Sequence, residues 1–158
     1  MDDVTMRTTR LDPTGNEALT GLAAAGATAF GYTAELTLDG RLAELLRLRV
    51  AQMNNCPYCL EVHHRAAREA GIPQAKIDFL TAWWETRLFS DAERAALEYT
   101  EALTRASDTT AREAFQRCHD TLSRHFDEAA MLEIVGVVVN MNVWTRLKLA
   151  EGAMPSFG

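Results

Sequence analysis

Apolar positions along the chain recur mostly at the three- and four-residue spacing of helices, and no stretch sustains the two-residue alternation of a half-buried strand. After an irregular arm at residues 1–15, residues 16–31 read as an Ala-rich helix. Asp39 is placed to cap a helix over 40–54, in which Leu42, Leu45, Leu46, Val50 and Met53 share the helical spacing. Pro57 suits the first turn of the next helix, and Gly71 ahead of Ile72-Pro73 is a stop signal. Pro73 opens a short helix to about Trp84, and "SDAE" at Ser90–Glu93 is a capping-box pattern for a helix to about Ala106. Residues 109–125 form another, and Asp127 caps the last, "EAAMLEIVGVVVNMNVWTRLKLA". The middle of that helix is apolar on nearly all sides, which predicts that it is surrounded, at the centre of a bundle or at a subunit interface. The expected fold is all-α, with six or seven helices in a single domain over 1–158.

Composition narrows the function classes. At 158 residues and 47% hydrophobic the chain supports one core and is short for two domains. A formal net charge of -6 with scattered Lys and Arg offers no basic stripe, which argues against nucleic acid and against an anionic membrane surface. The start, "MDDVTMRTTR", lacks the basic and apolar segments of a signal peptide, and the run "IVGVVV" is far short of a bilayer span, so a cytoplasmic protein is expected. Three cysteines in a reducing compartment argue against a disulfide framework; a paired Cys-x-x-Cys there is redox-active or metal-binding.

The chemistry concentrates in "QMNNCPYCLEVHHRAAREAGIP", residues 52–73. On a helical wheel of about 100° per residue, Cys59, Leu60, Val62, His63, Ala66, Ala67 and Ala70 share one side, while Glu61, His64, Arg65, Arg68 and Glu69 occupy or border the other. Cys59 and His63, four apart, stack on one face. The free amides and positive dipole end of a first helical turn favour a thiolate, and an imidazole one turn away can share its proton. A second thiol three residues away can close a disulfide before a sulfenic acid is overoxidised. Zinc is the competing use, drawing on Cys56, Cys59, His63 and one of Cys118, His119 or His125, but the chain has no second close ligand pair. Cys118 reads as a small buried side chain, and His64, His119 and His125 as surface or structural. Of Trp83 and Trp84, one is expected in the core and one at an interface; Asn142 and Arg146, four apart, are placed for a polar contact.

Glu44, eleven residues, Cys56-Pro57-Tyr58-Cys59, three residues and His63 together resemble the core motif of the alkylhydroperoxidase D-like, carboxymuconolactone decarboxylase superfamily, and "NVWTRLKLA" is similar to its closing segment. The resemblance implies an all-helical subunit assembled as a homo-oligomer (dimer, trimer or hexamer) and a thiol peroxidase without metal or other cofactor. In that scheme Cys59 is the peroxide-attacking thiolate and Cys56 the resolving thiol, while His63 relays the proton through water to Glu44 as base. A dithiol protein or lipoyl group is the implied reductant. Two positions depart from the pattern: Tyr58 stands where peroxidase members have His, with a substrate-orienting role open to it, and Thr145 precedes Arg146 where many relatives have Asn.

The wheel of 40–54 sets Glu44 opposite Leu42, Leu46 and Met53, the place of a solvated glutamate paired with Arg41 or Arg47. A base at that position requires the helix to be covered on two sides, as an oligomer would do. The rival functions are the family's namesake lactone decarboxylation in aromatic catabolism, against which the retained dithiol argues, and a non-catalytic redox-sensing oligomer.

Overall fold

The computed structural model describes residues 9–108 and 112–156. Its α-helices are α1 (Glu17–Phe30), α2 (Gly40–Met53), α3 (Pro57–Glu69), α4 (Gln74–Asp78), α5 (Asp91–Thr104), α6 (Arg112–Leu122) and α7 (Glu128–Glu151). Short 3-10 segments lie at Pro13–Gly15 and Leu80–Glu85, and there is no strand among the described residues. The all-α expectation holds.

Local chemistry explains most helix starts. Side-chain oxygens of Asn16, Asp39 and Asp127 accept backbone N–H groups of the first turns of α1, α2 and α7. The capping box forms in full: Ser90 Oγ accepts from Glu93 N at 3.2 Å and Glu93 Oε2 accepts from Ser90 N at 2.7 Å. At its other end α7 closes on Gly152, in the left-handed conformation that glycine tolerates best.

One expected helix is broken. Residues from Pro73 to Trp84 form α4 only to Asp78, and the chain then tightens into the 3-10 segment, with a kink at Ala82. Ile77, Leu80 and Trp83, three apart, are all buried, a spacing that a 3-10 turn aligns on one side. Arg94 captures the carbonyls of Trp83, Trp84 and Thr86, and Trp83 Nε1 donates to Glu101 at 2.7 Å, so tertiary bonds replace the helical ladder. Trp83 is a core residue and Trp84 is exposed. Of the helix expected over 109–125, residues 109–111 lie outside the described residues, and α6 ends at Leu122.

α2 is the central element. Its ten residues from Leu42 to Ala51 are all buried, including Glu44, Arg47 and Arg49, because α3, α5 and α7 pack around it. The cover that the wheel of this helix required comes from the chain's own helices, and no second subunit is needed to bury Glu44. α7 is long and apolar enough to cross a membrane by length and composition, yet Ile134, Val137, Val138, Met141 and Thr145 pack into the core. Its other face leaves Leu132 and Val139 exposed, so α7 is enclosed on one side only. α1 approaches α7 at Gly136, where a Cβ would run into the Phe30 ring.

Candidate functional site

The turn from α2 to α3 places the dithiol. Asn54 caps α2 and donates through Nδ2 to Asn142 Oδ1 (3.0 Å) and Thr145 Oγ1 (3.1 Å), tying the turn to α7. Asn55 takes φ 51°, a left-handed conformation that Asn adopts more readily than most residues. The chain then returns Cys56 N to Ala51 O at 3.2 Å and enters α3 with Pro57 in its first turn. Cys56 is the N-cap: its sulfur accepts Cys59 N–H at 3.3 Å. Cys56 and Cys59 are paired as a disulfide, with Cα atoms 5.3 Å apart, inside the usual range for such a bond.

Both cysteines are buried, yet they differ in what they face. Cys59 and His63 line an open cavity of about 370 Å³, walled by Tyr58, Met141 and Trp144 among others; Cys56 does not line it and packs against Val50, Ala51, Val138 and Met141. Of the two cysteines, Cys59 is the one that borders the cavity.

His63 points inward, as its side of the wheel predicts, and its Nδ1 lies 2.5 Å from Glu44 Oε1. With Nδ1–H donating to the carboxylate, Nε2 is the ring nitrogen left free to take a proton. The contact is direct, so the water expected between His63 and Glu44 has no place there. Glu44 Oε2 accepts from Arg47 Nη1 at 3.1 Å, and Arg47 Nη2 donates to the carbonyls of Phe30 (3.0 Å) and Gly31 (2.8 Å). The arginine therefore compensates the buried carboxylate and pins the end of α1 over the site. Tyr32, just beyond, meets the His63 ring edge-on, with centroids 6.2 Å apart.

The neighbouring His64 has a different fate. It is half-buried, and desolvation, reinforced by Arg68 and partly offset by Asp78, lowers its pKa. Cys118 is buried on α6, and desolvation, with Glu98 beside it, raises its pKa to about 11, which keeps it a thiol at neutral pH. Among the described residues no three His, Cys, Asp or Glu side chains gather as a metal site. Arg146 does meet Asn142, donating from Nη1 to Oδ1 at 2.5 Å.

The fold thus brings Glu44, Cys56, Cys59 and His63 together at α2 and the start of α3. The carboxymuconolactone decarboxylase family pattern matches residues 17–102, more than half of the chain. The chain belongs to the carboxymuconolactone decarboxylase family. Among its relatives, the uncharacterized protein YdfG of Bacillus subtilis (strain 168) is 33% identical over 122 residues, which cover 77% of this chain and 80% of YdfG. The uncharacterized protein YnjA of Escherichia coli (strain K12) is 31% identical over 113 residues, covering 72% of this chain and 60% of YnjA.

Solved structures share the fold of this family member. ATU0492 of Agrobacterium tumefaciens, a protein of unknown function provisionally described as the antioxidant defence protein AhpD, superposes with a TM-score of 0.79 at 22% identity, covering 96% of this chain and all of that one. The debrominase Bmp8, as a cysteine-to-alanine variant bound to 2,3,4-tribromopyrrole, gives 0.69 at 19% identity, covering 92% of this chain and 73% of Bmp8. A peroxidase-related protein from Silicibacter sp. TM1040 gives 0.64 at 24%, covering 92% and 72%.

Several residues at the site lie beyond the motif. Arg47 was legible only as a partner for Glu44; its hold on the α1 carbonyls carries no sequence signal. Asn140, in the cavity wall and 5% exposed, interrupts the apolar run of α7, a signal that was present in "VVVNMN". Tyr58 lines the same cavity, and Lys148 Nζ stands 4.7 Å from its ring centroid.

Proposed function

We propose that this protein is a thiol-dependent peroxidase that reduces hydrogen peroxide or organic hydroperoxides through a Cys56/Cys59 dithiol–disulfide cycle. The observation that carries this reading is the buried Glu44–His63 pair one turn beyond a cavity-facing Cys59. In the reduced protein, His63 Nε2 takes the Cys59 thiol proton, and Glu44 stabilises the imidazolium. The Cys59 thiolate attacks the outer oxygen of ROOH; the S–O bond forms, the O–O bond breaks, and the leaving alkoxide takes the proton to become ROH. The sulfur is thereby oxidised to a sulfenic acid. Cys56 then attacks that sulfur, giving the disulfide and water. A dithiol reductant, a small protein or a lipoyl group, exchanges with the disulfide and is itself oxidised, so the sum is ROOH plus dithiol giving ROH, water and disulfide.

Tyr58 stands at the cavity wall to orient the peroxide. The apolar outer face of α7, with Leu132 and Val139 exposed, supports a homo-oligomer, and a cytoplasmic setting suits a cycle that needs reducing equivalents. The test is consumption of an organic hydroperoxide by metal-free protein with a dithiol in excess. Many turnovers, absent in a Cys56→Ser, Cys59→Ser double variant, support the enzyme; a single equivalent consumed would instead make the dithiol a sensor.

A further inference from the structure

The charge of the Cys59 cavity differs from that of the protein around it. The chain carries a net charge of -6, yet no carboxylate lines this cavity, whereas Arg47, Arg65 and Lys148 do, beside His63. Arg47 is buried, with Nη1 bonded to Glu44, Nη2 to the α1 carbonyls, and Nε without a partner. Arg65 is exposed and makes no hydrogen bond or ion pair among the described residues. Lys148 pairs with Glu151 at 2.8 Å while lying over the rings of Tyr58 and Trp144. Glu151 does not line the cavity; Glu61, bonded by Ser156 through N and Oγ, also interacts electrostatically with Arg65, four residues on.

Deeper in the wall the lining is apolar but for one amide. Asn140 is 5% exposed, its Oδ1 is buried without a hydrogen-bond partner, and neither amide atom bonds to any described residue. That oxygen is turned toward Gly26 of α1, where a Cβ would lie 2.6 Å from it, so the amide belongs to the α1–α7 contact behind the cavity. Between the cations and this amide, Val62, Met141 and Trp144 contribute apolar and aromatic surface, in a volume of about 370 Å³ that suits a small organic molecule.

We infer that the cavity takes organic hydroperoxides bearing a carboxylate, with Arg65 and Lys148 holding the anion and the hydroperoxide reaching Cys59. This deepens the peroxidase reading and rests on it. The reaction is the one written above with the carboxylate on R, so the product is the corresponding hydroxy acid.

The test compares cumene hydroperoxide carrying a para-carboxylate with its methyl ester, using neutral dithiothreitol as reductant. The acid is expected to exceed the ester in kcat/KM by about tenfold, the effect of one charge-assisted contact. That ratio should fall toward one in an Arg65→Gln, Lys148→Gln variant and shrink as salt is added. In parallel, calorimetric titration with the hydroxy acid product reads binding without turnover. It should show binding to wild-type protein that the double variant loses. Equal rates for acid and ester, with no binding of the hydroxy acid, would overturn the inference and leave the peroxidase intact. A charge preference confined to the reductant, dihydrolipoate over dihydrolipoamide, would overturn it by assigning the cations to the other substrate. Binding of the hydroxy acid with no turnover of any peroxide would overturn the peroxidase reading and the hydroperoxide with it.

Discussion

Glu44 and His63, nineteen positions apart on adjacent helices, meet at 2.5 Å in the core of one chain, with Arg47 closing the far side of the carboxylate. Burial of this pair makes it costly to break from either end. Glu44→Gln should lower the peroxidase rate by about a hundredfold, since the imidazolium loses its counter-charge. It should also destabilise the fold by about 3 kcal/mol, because Arg47 keeps a buried charge without its carboxylate. Adding Arg47→Met should restore part of that stability in urea unfolding but none of the activity. A parallel recovery of both would mean that the glutamate serves the fold alone.

Glu133 on α7 holds the loop between α1 and α2, accepting the N–H of Thr37 (3.0 Å) and of Leu38 (2.7 Å). The backbone bond from Thr37 is the largest influence and lowers its pKa from an ordinary value of 4.5; burial opposes it, and the Leu38 bond and the Thr37 side chain add to the lowering. A carboxylate with a depressed folded-state pKa stabilises above its unfolded value and loses that contribution as pH falls through the folded one. Unfolding free energy should therefore decline below about pH 4.5, and Glu133→Gln should flatten that part of the profile, as measured by chemical denaturation across the acid range.

Gly136 is where α7 lets α1 come close. In Gly136→Ala the new methyl group would meet the Phe30 ring, so either the ring must turn or α1 must move away from α7. The expected loss is about 1–3 kcal/mol by thermal or urea unfolding, as for other overpacked sites. Because Arg47 anchors the end of α1 over His63, the same variant should lose activity as well as stability. Pairing it with Phe30→Leu should recover part of both.

The fold was legible in the sequence wherever local chemistry decides. Asp39, Ser90–Glu93 and Asp127 marked helix starts that the structure keeps, and the spacing of Cys59 and His63 fixed their common face. The stretch from Pro73 to Trp84 was not legible, because bonds from Arg94 and Glu101, remote in sequence, decide its conformation. Glu44 is the instructive case. A wheel sorts one helix into two sides, but α2 is enclosed by α3, α5 and α7, so its polar side is a second interior face. That Arg65 and Lys148 line one cavity was equally hidden, since they come from α3 and α7.

The most direct test of the dithiol chemistry is to expose reduced Cys56→Ser and Cys59→Ser variants to one equivalent of an organic hydroperoxide, with a sulfenic-acid trap present, and to map the adduct by peptide mass spectrometry. The cavity-facing position of Cys59 predicts a trapped sulfenic acid on Cys59 in the Cys56→Ser protein and no reaction in Cys59→Ser. An adduct on Cys56 in the Cys59→Ser protein, with Cys56→Ser inert, would contradict the assignment and make the N-cap cysteine the nucleophile.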